Sequence, residues 1–316
     1  MQAISEYDMR YTKLLPLVLL GLLLLVACSE SYEETKRITR AQRLKAMRED
    51  SAALKVAVLP TLDCLPIYLA KDHQMFDTAV DIRLKQFTAQ MDIDTALVNR
   101  RVEVGVSDLV RVERLKKQGD SLRYITSTNA YWQLITNRGA RILDLKHLDD
   151  KMLAMTRYSI TDMLGDLAVD SAKLKTERVF RIQINDVNVR LKMLENNEMD
   201  ALILTEPQAA QARLLKHKVL MDTRKLDMKM GVIVSQWEGM NEETRAKQLR
   251  AFTRGYNKAC DSINQYGIER YASLITKYCR VKPEAIQQIS KDLKFHRIAL
   301  PREEDVTRAK TWLSKK

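Results

Sequence analysis

The chain has 316 residues, 46% of them hydrophobic and 30% charged, which places it among globular rather than disordered proteins and allows one large or two medium domains. Its nine glycines, about 3% against the roughly 7% usual in proteins, never stand closer than eight positions apart, so neither a G-x-G-x-x-G turn nor a Walker phosphate loop can be written. Histidines at 73, 147, 217 and 296 and cysteines at 28, 64, 260 and 279 form no zinc motif, and 53 Lys+Arg against 41 Asp+Glu leave a net charge of +12.

Arg10 and Lys13 precede an uncharged, leucine-rich run from Leu14 to Ala27. It is too short for a permanent membrane span, which needs about 20 residues, and has the length of a signal-peptide core. It ends in Leu25-Val26-Ala27-Cys28, which resembles the bacterial lipobox, where the chain is cut before the cysteine and the thiol is acylated. The alternative is an ordinary secretory signal with an incidental cysteine. The lipobox reading makes 1–27 a signal peptide, Cys28 a lipid-bearing (palmitate-type) N-terminus and 28–54 a solvated tether without a regular apolar stripe. Glu30, Glu33 and Glu34 resemble the surface-export signal of Bacteroidetes lipoproteins, although acidic patches are common on tethers. Charges cancel within 1–27 and sum to +1 over 28–54, which puts about +11 on the folded part. Such an excess either concentrates anions or is a set of solvated helix faces.

From Lys55 onward, short apolar runs alternate with helical stretches. Strands are predicted at 55–59, 80–87, 102–106 and 122–126, with helices at 67–75, 92–99 and 109–117 between them. A second series gives strands at 131–137, 152–155, 180–184, 201–204, 219–221 and 231–234, and helices at 162–173, 187–196 and 208–217. Strands separated by helices imply parallel crossovers, hence an α/β fold. Leu249, Phe252, Tyr256, Ala259, Ile263 and Tyr266 recur at spacings of three and four and mark a long helix. Helices at 271–278, 283–293 and 303–313 finish the chain. Two α/β series with a helical tail suggest two lobes.

In open α/β sheets, ligands lie beyond the carboxyl ends of the strands, near helix N-termini. The residues at those ends are Pro60 to Pro66, Thr88-Ala89-Gln90, Ser107-Asp108, Arg157 to Asp162, Asn185-Asp186 and Glu206-Pro207. Small polar groups recur there, which suits capture of a small ligand, but Ser, Thr, Asp and Asn are also the preferred helix caps. Each position therefore has a capping and a ligand-binding reading. Cys260 and Cys279, on consecutive helices, are either a disulfide or two buried thiols.

The segments KVAVLPTLDCLPIYLAKDHQMF, VEVGVSD, MLAMTRYSITDML and MLENNEMDALILTEPQAA, in this order from Lys55 to Trp237, resemble the nitrate/sulfonate/taurine and thiamine-pyrimidine group of periplasmic substrate-binding proteins of ABC importers. The resemblance implies a type 2 periplasmic-binding fold: two α/β lobes joined by two crossing strands, with a helical C-terminal tail. The natural crossings are 131–137 and 231–237, which assigns 55–134 plus 235–316 to lobe I and 135–234 to lobe II. By analogy, Asp63, Thr88, Gln90, Ser107, Arg157, Tyr158, Ser159, Thr161, Asn185 and Glu206 are candidate ligand-binding residues, and Cys64 stands at a cleft-facing position. Arg157 either binds an anion or forms a salt bridge between lobes or to Asp162. Glu206 either pairs with an amine or stabilises the hinge. Tyr131 and Trp132 either stack on a planar ligand or pack. The family usually has glycine where this chain has Gln74, Arg100 or Arg101, Asp150 and Asn197; Asn and Asp tolerate left-handed turns, whereas the Gln and Arg replacements suggest altered turn geometry.

The resemblance implies a membrane-tethered lipoprotein of the cell envelope, on the periplasmic face or the outer surface, that traps a small anionic or planar heterocyclic molecule and delivers it to an ABC permease. The alternative is a surface scavenging or receptor lipoprotein with the same fold and no permease. An enzyme of the thiamine-pyrimidine synthase type would need a cysteine-rich motif and a substrate histidine that are not found here. No catalytic residue, cofactor or metal is implied, and an exported protein would rarely meet nucleic acid.

Overall fold

A computed structural model describes residues 34–236 and 242–316. The leucine-rich run, Cys28 and Trp237 lie outside the described residues. Within the expected tether, residues 34–52 form a helix, α1, rather than irregular chain. Lys, Arg, Glu, Ala, Leu and Met dominate it, and their high helix propensity suffices without an apolar stripe. This segment belongs to a unit that ends at Ala53; Leu54–Lys316 form a second one.

That second unit begins with β1 (Leu54–Val58), α2 (Leu65–Asp72), β2 (Ile82–Gln86), α3 (Gln90–Val98), β3 (Val104–Asp108), α4 (Leu109–Lys117) and β4 (Leu122–Ser127). It continues with β5 (Trp132–Thr136), β6 (Lys151–Met155), α5 (Ile160–Ala172), β7 (Val179–Gln183), α6 (Val187–Glu195), β8 (Ala201–Thr205), α7 (Gln208–Leu214), β9 (Lys218–Asp222) and β10 (Gly231–Gln236). Two five-stranded sheets result, in the orders β2-β1-β3-β10-β4 and β7-β6-β8-β5-β9. In each, three parallel strands are followed by one antiparallel strand and then a fifth. Strands β1, β3, β5, β8 and β10 are buried throughout and predominantly apolar, while the outer β2, β7 and β9 are half-exposed and mixed.

The fold is therefore two α/β lobes joined by two crossing segments. Along its whole length β5 pairs with β8 and β9, and β10 pairs with β3 and β4. The chain thus changes lobe before each strand, over 128–131 and 223–230, rather than within it. The points 134/135 and 234/235 fall inside β5 and β10.

The tail consists of α8 (Glu242–Tyr266), α9 (Ala272–Cys279), α10 (Pro283–Ile286) and α11 (Glu303–Leu313). The predicted stripe of α8 buries Phe252, Tyr256, Ala259 and Ile263 against the first lobe, and Gly255 lets the Phe76 ring approach so closely that an added Cβ would lie 2.3 Å from Cδ1. A helix over 283–293 was expected, but α10 stops at Ile286, beyond which the Gln288 carbonyl accepts a hydrogen bond from Arg213 Nη2 at 2.7 Å. Cys64, Cys260 and Cys279 are free, buried thiols, so Cys260 and Cys279 form no disulfide.

Candidate interlobe binding cleft

The carboxyl ends of the parallel strands of both sheets meet. Ala89 and Asp186, each following an outer strand, form an isolated antiparallel bridge across the gap, and Leu62 donates its N–H to the Glu206 carbonyl at 2.8 Å. Between these contacts lies a small cavity that opens to solvent. The first lobe lines it with Leu59, Thr61, Asp63, Thr88, Gln90, Val106 and Ser107, and the second with Trp132, Asn185, Val187, Arg190 and Thr205.

Two charged groups stand in these walls. Asp63 sits in the single turn between β1 and α2, where Thr128 donates a hydroxyl to its Oδ2 at 3.3 Å. Burial pushes its carboxyl above the ordinary value, and hydrogen bonds from Thr61 and Thr128 oppose that shift. Arg190 lies one turn into α6, whose buried face is Val187, Arg190, Leu191 and Leu194. Its Nη1 donates to the Ile203 carbonyl at 2.6 Å, and Nε has no partner. Burial pushes its guanidinium down to about 10, with only Asp186 nearby to favour the charge. The Ser107 hydroxyl is buried and also without a partner.

Of the residues singled out in the sequence, Asp63, Thr88, Gln90, Ser107 and Asn185 line the cavity, and so does Trp132. The others are placed elsewhere. Cys64 turns into the first lobe, where Sγ accepts the Leu59 N–H at 3.3 Å and lies 3.7 Å from Thr61 Oγ1. Ser159 caps α5 by accepting the Thr161 N–H at 3.0 Å, while Thr161 Oγ1 accepts the Thr156 N–H at 2.9 Å. These two hydroxyls take the capping alternative. Tyr158 is in the left-handed region at φ 53° and lies under the Arg114 guanidinium, 4.6 Å from its ring centre. The Arg157 side chain is exposed, and the salt bridge to Asp162 is made by Arg181 instead, at 3.0 Å.

Glu206 is buried behind the cleft as a structural hub. It accepts hydrogen bonds from the Tyr131 hydroxyl, from Arg213 Nη2 at 2.7 Å and from the Ala210 N–H at 2.9 Å. Tyr131 is thereby fixed as packing, with Arg224 3.8 Å over its ring.

Arg190, Thr205, Val187, Val106 and Leu59 line the cavity without having been singled out, and Thr61, within the Pro60 to Pro66 strand end, lines it too. Arg190 carried a usable signal: a charged residue standing at helical spacing among Val187, Leu191 and Leu194 on an apolar stripe.

A family model described as NMT1/THI5 like matches residues 61–265, and the chain belongs to that family. No curated protein matches it in sequence. Its fold is similar to that of the alkanesulfonate-binding protein SsuA of Xanthomonas axonopodis pv. citri bound to MOPS, with a TM-score of 0.69 at 14% identity over 84% of this chain and 91% of that one. The aliphatic sulphonate-binding SsuA of Escherichia coli aligns with a TM-score of 0.67 at 17% identity, covering 83% of this chain and 87% of that one. The nitrate-binding protein NrtA of Synechocystis PCC 6803 aligns at 0.63 and 13% identity, covering 74% and 68%.

Proposed function

We propose that this NMT1/THI5-like chain is a solute-binding protein that closes its two lobes on a small molecule and presents the closed form to the permease of an ABC importer. The observation that carries the reading is the cavity at the facing strand ends, lined from both lobes by short polar side chains and a few apolar ones. A ligand gripped by both walls favours the closed arrangement by its differential contacts, which is how closure reports occupancy. The fold neighbours that bind alkanesulfonates and nitrate support the same reading. Residues 1–27 act as a signal peptide and Cys28 carries the lipid that holds the chain at the envelope; Cys28→Ala should abolish lipid incorporation and release the protein.

A thermal-shift screen of small anions, sulfonates, amines and pyrimidines tests the binding role. A ligand at 100 times its Kd should stabilise the chain by about 2.7 kcal/mol. If no small molecule raises the melting temperature, the reading fails.

A further inference from the structure

Helix α1 is exposed from residue 34 to residue 49. Between Thr35 and Arg48 it carries six basic side chains, Lys36, Arg37, Arg40, Arg43, Lys45 and Arg48, and no acidic one. Residues three and four apart are neighbours on a helix surface. Lys36, Arg40, Arg43 and Met47 follow one another at steps of four, three and four, and Arg37, Arg40, Leu44 and Arg48 at steps of three, four and four. The two rows share Arg40, so five of the six cations lie on one face together with Leu44 and Met47, which are 49% and 68% exposed. Glu34, Ile38, Lys45 and Glu49 fall outside that face, and Asp50 borders its C-terminal end. Like charges at these spacings disfavour a helix by themselves, so whatever supplies anions to the face stabilises it.

We propose that α1 lies along a bilayer surface that carries anionic lipid, with Lys36, Arg37, Arg40, Arg43 and Arg48 at the lipid phosphates and Leu44 and Met47 among the headgroups. This rests on the lipid-anchor reading above: Cys28 in the bilayer leaves only eight residues to Lys36, a reach of about 28 Å at full extension. An anchor that close holds the face at high effective concentration over the bilayer, an advantage that a freely diffusing acidic partner lacks. The long stems of Lys and Arg let the charged ends stay at the phosphates while the helix rests lower, beside the two apolar side chains. Each basic residue near such a surface favours attachment by about fivefold, and salt screens the gain. At 34–52 the helix is about 28 Å long, and on the surface it spends that length parallel to the bilayer rather than as height above it.

The test places the lipid-anchored chain in vesicles of phosphatidylcholine alone or with one third phosphatidylglycerol. Met47→Cys carries a polarity-sensitive dye on the basic face, and Cys64, Cys260 and Cys279 are buried and stay unlabelled. On the phosphatidylglycerol vesicles acrylamide should quench the dye at least about fivefold less than on phosphatidylcholine, and about 0.5 M NaCl should remove the difference. Arg37→Gln with Arg40→Gln and Arg43→Gln weakens attachment by about 100-fold and should leave the dye equally quenched on both vesicles. Glutamine propagates a helix about as well as arginine, so this variant loses charge and keeps α1. The same three positions changed to lysine should behave as arginine does. Equal quenching of the unmodified face on both vesicles would overturn the proposal and leave the face to an acidic protein surface. Protection that survives high salt, or that persists in the glutamine variant, would overturn it too. A chain that enters neither kind of vesicle removes the lipid anchor and this proposal together, whereas a chain anchored in both with α1 equally exposed removes the proposal alone.

Discussion

The Asp108 carboxylate accepts the Ile160 N–H at 3.2 Å, so a side chain at the end of β3 holds the first residue of α5 in the opposite lobe. The same oxygen accepts the Arg111 N–H at 3.1 Å and caps α4, while the other oxygen is buried without a partner. Each partner reaches the same atom from a different lobe.

Burial pushes the Asp108 carboxyl up to about 7; Asp94 reinforces the shift, and Arg111 and the two backbone N–H groups oppose it. The folded chain therefore holds a proton that the unfolded chain releases near pH 4. The associated stability is fully present below about pH 4 and is lost as pH rises through about 7. Asp108→Asn keeps an acceptor for both N–H groups and, because Asn caps as well as Asp, should flatten the dependence between pH 5 and 7. Urea unfolding at several pH values checks this; a variant that keeps the full slope would assign the proton elsewhere. Asp108→Ala should cost about 1 to 2 kcal/mol at low pH through the lost cap, and less as pH rises through about 7, where the buried carboxyl of the unmodified chain ionises.

Glu206→Gln tests the hub behind the cleft. It keeps the shape but leaves Arg213 with a neutral partner, so stability should fall by about 1 to 3 kcal/mol. Urea unfolding reads the loss, and an unchanged midpoint would show that Glu206 holds nothing together.

Gln74, Arg100, Lys173, Asn197 and Lys216 follow helices with φ between 51° and 62°. Each closes a six-residue turn at its helix end, as in Met75 N–H to Ala70 O at 2.8 Å and Arg101 N–H to Ala96 O at 2.8 Å. The left-handed conformation costs a non-glycine residue about 1 to 2 kcal/mol, and glycine returns about 0.5 to 1 of that through its freer unfolded chain. Gln74→Gly, Arg100→Gly, Lys173→Gly and Lys216→Gly should each raise stability by about 0.5 to 1 kcal/mol, with additive effects because the sites are far apart. Melting curves of the single and combined variants check both points; destabilisation would mean that the side chains hold these turns.

Gly255→Ala should lower stability by about 1 to 3 kcal/mol, since the new methyl would meet the Phe76 ring and force α8 away from the first lobe. Phe76→Leu in the same chain should recover part of the loss.

The architecture was legible in the sequence because the central strands are buried on both faces, and helices α4 and α11 begin and end where capping and spacing place them. The turns were legible in part: Asp150 and Asn197 have positive φ, as residues that tolerate the left-handed region, but Gln74 and Arg100 have it too, where altered turn geometry is the sequence expectation. The cleft was legible only in part. Attention to the residue just after each strand finds Thr88, Ser107 and Asn185, but it also gathers Ser159 and Thr161, which are consumed by capping. It misses Arg190, which enters the cavity from inside a helix. Whether a polar residue near a helix start faces the ligand or its own backbone depends on side-chain direction, which sequence position does not carry.

The order of strands in the first sheet has a consequence for synthesis. Strand β4 pairs, among the described residues, only with β10, about a hundred residues further on. As the chain emerges from its N-terminus, the second sheet, drawn from one continuous stretch, has all five strands available while the first still lacks its fourth. The lobe that begins first is the one completed last, and until then β3 and β4 present open edges that pairing with β10 later covers.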